Sequence, residues 1–394
     1  MDKKTKTIRA FTHGRIFTPE IEIPDGTLLT RGFKIMAVGR ASDIEVPAEA
    51  QVVDCTGRIV TPGFIDIHLH GGDGHDFLSG EGLAGAARFH ASRGTTAMVP
   101  TLCPDTLPRL KEQLARLGRG YGAHEGTLPE ILGLYLEGPF LNAAKRGAFD
   151  PSLIRLPQPG VVRSFFEASG GALRMMALAP ELPGALETLR EIKALGMIPC
   201  LGHTDATYEE THAAFSNGVR HATHLFNAMR GFHHREPGAA MAALLHPEVS
   251  VEVILDGHHL HQAAVDLIYR LKGAARMILV SDAVPLAGRS EGSALLGCQR
   301  VEVRDGKAVN GEGNLAGSLM VLADAVKSAV QWAHLPLKQT LRMATLNPAR
   351  LLGLPDRKGR LAQGADADLV ILDQDLEVQG VYIGGSQVPG PEIR

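Results

Sequence analysis

The segment "GFIDIHLHGGDGHDF" opens as an apolar strand and ends in metal-binding side chains, holding Asp66, His68, His70, His75 and Asp76. Side chains on a strand repeat every second position, so His68 and His70 point to one face as a ligand pair. Further on, "LYLEGPF" carries an apolar run up to Glu137, "CLGHTDA" carries another up to His203, and "HATHLFNAM" contains His224. A carboxylate that ends an apolar strand is costly to bury unless it is paired or bound to a metal. A lone histidine at such a place is more often a satisfied core residue. One carboxylate and two imidazoles together form a three-ligand set that leaves coordination positions open for water and substrate. These ligand types suit zinc, iron, manganese or a similar divalent ion, one or two per subunit, without choosing among them. Asp282 in "LVSDAV" reads either as a turn aspartate or as a base that takes a proton from water and returns it to a leaving group. Its position beside a metal set favours the base. Of His258, His259 and His261 in "DGHHLH", one or two should face a pocket, and Arg235 in "REPG" taken alone reads as a solvated loop charge.

These residues need elements that bring them together. Apolar strand-like runs at 64–69, 95–101, 131–137, 174–180, 197–203, 220–225, 251–256 and 276–282 alternate with longer helical stretches. That alternation favours a parallel sheet with crossover helices, and eight such units make an α/β fold of the (β/α)8 barrel type. The histidines and carboxylates track the C-terminal ends of the runs, which converge on the barrel face where active sites sit. Shorter strands broken by turns occupy both chain ends. They predict a small β-sandwich domain built from 1–58 plus 355–394, with the barrel spanning 59–354.

The 394 residues, 44% hydrophobic and 21% charged, suffice for one large domain and a smaller one. A net charge of -3 argues against a nucleic-acid partner or a polybasic membrane patch. No apolar run reaches the length of a membrane span, and "MDKKTKTIRAF" lacks the apolar core of a secretory signal. Cys55, Cys103, Cys200 and Cys298 are widely spaced and read as buried free thiols of a cytoplasmic protein.

The ordered set "PGFIDIHLHG", "LEGPF", "GHTDA", "THLFNAM", "REPG", "DGHH", "VSDA" and "NLAGS" resembles the amidohydrolase superfamily, and within it the deacetylases of N-acetylhexosamine 6-phosphates. "RMATLNPARLLGL" and "KGRLAQGADADLVILD" are similar to the superfamily as well. The resemblance implies that Glu137, His203 and His224 bind the principal metal, that His68 and His70 offer a second site bridged through Glu137, and that Asp282 is the catalytic acid/base. It implies substrate contacts from Ala148, Phe149, Asn227, Ala228, Arg235, His259, Leu315, Ala316 and Gly317, with Arg235 and His259 on the sugar phosphate. A homodimer is expected, in which Arg235 can come from the partner. Where the family commonly has a histidine that helps to hold the substrate amide, this chain has Phe149. The implied reaction is metal-dependent hydrolysis of the acetamide of N-acetylglucosamine 6-phosphate to glucosamine 6-phosphate and acetate. Its rivals are a same-fold enzyme for another N-acyl substrate, such as N-acetylgalactosamine 6-phosphate or an N-acyl amino acid, and a non-catalytic scaffold, which should have lost ligands that this chain keeps.

Overall fold

The computed structural model describes residues 7–78, 82–122 and 126–390. The first six residues, part of the stretch read as too polar for a secretory signal, lie outside the described residues. Eight parallel strand positions form a nearly closed barrel. They are Phe64–Leu69, Thr95–Leu102, Glu130–Ile131 continued by Leu134–Glu137, Leu173–Leu178, Ile198–Leu201, His221–Ala222, Ser250–Val253 and Met277–Leu279. Apolar residues on both faces of these strands are buried, by the filled barrel interior on one side and by helices on the other.

Several strands stop sooner than their apolar runs. The fifth ends at Leu201, the sixth is only His221–Ala222, and the eighth ends at Leu279. The reason is local: the chain turns through left-handed backbone at His203 (φ 48°), His224 (φ 22°) and Asp282 (φ 49°), which breaks each ladder. The helix Tyr208–Ser216 then starts on a capping box, with the Thr207 hydroxyl accepting from Glu210 N (3.2 Å) and the Glu210 carboxylate accepting from Thr207 N (2.8 Å). That cap fixes the exit of the loop carrying His203.

Among the described residues, the eighth and first strands share no ladder within their named ranges. Their seam is closed at the rim instead. Asp282 N donates to His68 O (2.9 Å) and His70 N donates to Ala283 O (2.7 Å). Below, the Ser281 hydroxyl donates to Asp66 Oδ2 (2.5 Å).

Both chain ends build a second sheet, in the order Ser386–Gln387, Val378–Ile383, Leu369–Leu372, Ile59–Pro62, Ile8–Phe17, Glu22–Arg31, Lys34–Arg40, with Gln51–Asp54 also paired to Ile8–Phe17. Its core packs Phe11, Ile16, Leu28, Val60, Leu369, Ile371 and Tyr382. Each fully buried side chain of this size contributes about 1.5–3 kcal/mol. Ile59–Pro62 thus lies in the terminal sheet, and Gly63 alone separates it from the first barrel strand. A Cβ at Gly63 would sit 2.1 Å from Thr96 Oγ1, so only glycine allows this direct hand-over.

A three-stranded antiparallel sheet, Ser293–Leu296, Gln299–Arg304 and Lys307–Asn310, follows the eighth barrel strand. Its second turn is Asp305–Gly306, both with positive φ, as a two-residue hairpin of this type requires. Cys298 sits at the first turn and is exposed, which corrects the expectation of four buried thiols; Cys55, Cys103 and Cys200 are buried and free. Among the described residues, no helix is long and apolar enough to cross a membrane.

Candidate active site

The strand tips deliver two sets of ligand atoms around one carboxylate. Glu137, the last residue of its strand, turns Oε1 toward His203 Nε2 (2.9 Å) and His224 Nε2 (2.8 Å). Its other oxygen, Oε2, lies 3.4 Å from both His68 Nε2 and His70 Nε2. Asp282 Oδ1 completes the second set at 3.6 Å from His68 Nε2 and 3.3 Å from His70 Nε2. The two groups, Glu137–His203–His224 and His68–His70–Asp282, are buried and compact enough for each to hold an ion. Left-handed backbone at His203, His224 and Asp282 costs roughly 1–3 kcal/mol per residue, and its effect here is to swing these side chains inward over the barrel.

Three of the four outer ring nitrogens are tied down, while His224 Nδ1 is buried without a hydrogen bond. His70 Nδ1 donates to Thr101 O (3.1 Å), His203 Nδ1 to Lys145 O (2.9 Å) and His68 Nδ1 to Glu252 Oε2 (2.8 Å). Because these partners only accept, each Nδ1 carries its proton, and Nε2 is the ring atom turned to the centre and left to bind an ion, the arrangement expected of metal-binding histidines. His68 Nε2 is buried without a hydrogen bond.

The electrostatics point the same way. Burial opposes ionisation of Glu137, but the His68 charge and hydrogen bonds from His203 and His224 outweigh it and hold the carboxyl well below its usual range. Asp282 is lowered too, with His68 and His70 overcoming its burial. His68 is pulled the other way: although burial favours the neutral ring, the Glu252, Glu137 and Asp282 carboxylates raise its proton affinity well above the ordinary value. Carboxylates gathered in a dry site demand positive charge, which protons or a divalent cation can supply. The nitrogen and oxygen donor set, the His68 Nε2 without a hydrogen bond and this unbalanced charge fit a divalent ion.

Above this floor opens a cavity of about 510 Å³. Ala148, Phe149, Asn227, Ala228, His259, Leu315, Ala316 and Gly317 line it, together with His70, Glu137, His203, His224 and Asp282. The Phe149 ring lies over His203, with centroids 5.0 Å apart. His259 is oriented by Asp256, whose Oδ2 is 2.7 Å from His259 Nδ1. Of its neighbours, His258 borders a separate cavity and His261 caps the helix Gln262–Lys272. Arg235 does not line the cavity of its own chain; it is exposed on the loop after the sixth strand. His75 is likewise exposed, in a short hairpin. Sequence reasoning missed Glu252, Thr223 and His221, which lie beneath the floor. The one available signal was a glutamate inside the apolar strand "SVEVIL".

The barrel, its terminal sheet and this centre define a class, and the chain belongs to the amidohydrolase family, whose profile matches residues 59–388. Within it, the chain is 36% identical over 330 residues to the N-acetylglucosamine-6-phosphate deacetylase of Vibrio furnissii, covering 83% of this chain and 82% of that one. It is 34% identical over 341 residues to the N-acetylgalactosamine-6-phosphate deacetylase of Escherichia coli O157:H7, covering 86% and 90%. Among solved structures, an aspartate-to-alanine mutant of the N-acetyl-D-glucosamine-6-phosphate deacetylase of Mycobacterium smegmatis, in complex with N-acetyl-D-glucosamine-6-phosphate, superposes with a TM-score of 0.91 at 36% identity, covering 97% of this chain and 99% of that one.

Proposed function

We propose that the chain hydrolyses the acetamide of N-acetylglucosamine 6-phosphate, releasing acetate and glucosamine 6-phosphate in amino-sugar catabolism. The observation that carries this reading is the Glu137 carboxylate, whose two oxygens face two histidine pairs beside Asp282 at the floor of one cavity. Glu137, His203 and His224 would hold the principal divalent ion, and His68 and His70 a second. A bound ion supplies Lewis acidity, polarising the amide carbonyl and easing deprotonation of the attacking water. Asp282 takes the proton of that water and carries it to the amine nitrogen, so that the amine leaves neutral. Asn227, Ala228 and the 315–317 segment border the sugar, and His259, its Nδ1 held by Asp256, meets the phosphate with Nε2, which donates when the ring carries both protons. In a homodimer, Arg235 reaches the phosphate of the partner's site, which accounts for its exposure in the single chain. The three buried free thiols suit a cytoplasmic enzyme.

The test is acetate release from phosphorylated and unphosphorylated N-acetylhexosamines by protein of defined metal content. Turnover restricted to the 6-phosphate is expected; equal rates on both sugars would overturn the phosphate assignment. One observation favours a second reading, N-acetylgalactosamine 6-phosphate as substrate: the chain is nearly as similar to an N-acetylgalactosamine-6-phosphate deacetylase, at 34% identity, as to the N-acetylglucosamine-6-phosphate enzyme, at 36%. Assaying the two epimers side by side decides between them.

A further inference from the structure

We propose that Glu252 is a positioning residue that sets His68 as a metal ligand and thereby controls the affinity of the second ion; this role rests on the two-ion reading above. Glu252 lies in the strand Ser250–Val253 and is fully buried. Alternation along that strand turns Glu252 away from Val251 and Val253 and into the barrel interior. Barrel interiors are ordinarily filled by branched apolar side chains, so an ionisable group there needs partners.

It has four. Oε2 accepts from His68 Nδ1 (2.8 Å), the Thr223 hydroxyl (2.7 Å) and His224 N (3.0 Å), while Oε1 accepts from His221 Nε2 (2.8 Å). An ionised carboxylate offers about four acceptor sites and no hydrogen to give back, so none of these bonds can reverse. His68 must therefore carry a proton on Nδ1, so that Nε2, the buried atom without a hydrogen bond that faces Glu137 and Asp282, is the ring atom left for an ion. The other two tied ligand rings differ in kind. His203 is set by a main-chain carbonyl, which no substitution removes, and so is His70, although Cys103 Sγ also lies 3.4 Å from its Nδ1. Of these three rings, only His68 is set by a carboxylate side chain with no main-chain acceptor to hold it.

Glu252→Gln keeps the shape but replaces one acceptor oxygen with an amide that donates. Metal-free wild type and variant are titrated with Zn²⁺ by calorimetry and with Co²⁺ by visible absorption. The variant should bind its second ion ~10–100-fold more weakly, while its first-ion constant stays within about threefold of wild type and circular dichroism is unchanged. Two ions bound by the variant with wild-type constants would overturn the role. So would a parallel fall of both constants together with the melting temperature, the mark of a merely structural residue. A wild type that binds one ion at saturation would overturn the two-ion reading, and the role with it. Should the variant not fold, ¹⁵N-histidine spectra of the Zn²⁺-loaded wild type, with His68 assigned through His68→Gln, decide the same point. A proton on Nδ1 is expected, and a proton on Nε2 excludes the assignment.

Discussion

At the scale of single residues, the centre separates groups that hold from a group that moves a proton. Glu137 sits between the two ligand sets, so Glu137→Gln should weaken every bound ion, in contrast to the selective loss expected at Glu252. Metal content after gel filtration checks it. Asp282→Asn should keep the fold and the principal ion at Glu137, His203 and His224 but slow turnover by ~10²–10⁴-fold, because an amide cannot accept the proton of water. Steady-state kinetics with melting curves measure both effects, and near-normal turnover would place proton transfer elsewhere. Asp205 is not a ready substitute: it pairs with Arg230 (3.1 Å) and Lys145 (3.3 Å) and does not line the cavity.

At the scale of elements, a buried ion cluster fastens the terminal sheet beneath the barrel. Lys358, whose side chain is 1% exposed, places Nζ 2.6 Å from Asp368, 2.7 Å from Glu130 and 3.0 Å from Asp366. Arg357 adds a two-bonded contact to Glu130. Glu130 begins the third barrel strand, while Asp366 and Asp368 lead into the sheet strand Leu369–Leu372. Lys358→Met strands these carboxylates and should cost about 3–5 kcal/mol in denaturant unfolding. The pH dependence follows in sign. Glu130 and Asp366 are held below their ordinary range, the Arg357 and Lys358 charges overcoming burial, so their stabilisation is present above the unfolded carboxylate range near pH 4 and lost as pH falls through their lower folded values. Lys358 is raised by its carboxylates against burial, so its share persists below the ordinary lysine value and is lost only at more alkaline pH. Melting temperature should therefore hold a plateau through neutral pH and drop on the acid side, with a smaller drop in Lys358→Met. What the sequence made legible at this scale has a physical boundary. Apolar runs announced the eight strands, because a parallel strand buried on both faces must be continuously apolar. They overstated the lengths, since a run cannot show where the backbone turns left-handed at His203, His224 and Asp282. The ligands stood out by falling at strand ends. Glu252 did not, because its partners arrive from the first and sixth strands, far away in the chain. The hairpin sheet after the eighth strand was announced by "RDGK" and went unread.

At the scale of the whole molecule, Arg235 carries the question of assembly. If it serves the partner's cavity, Arg235→Ala alone should raise KM for the 6-phosphate about ten- to a hundredfold, one charge-assisted contact being worth roughly 1.5–3 kcal/mol. Mixing Arg235→Ala with Asp282→Asn should then restore activity, since half the sites of a mixed dimer pair an intact aspartate with an intact arginine. Mixtures no better than the sum of their parts would show that each chain uses its own arginine. The barrel seam has a consequence of another kind. Its rim is clasped by Asp282 and His70, members of the centre itself. Any loosening of the first strand from the eighth draws the proton acceptor away from the histidines before a helix need unwind. A half-opened molecule is thus silent rather than indiscriminate: the gap that would admit a wrong amide also disarms the chemistry that could cut it.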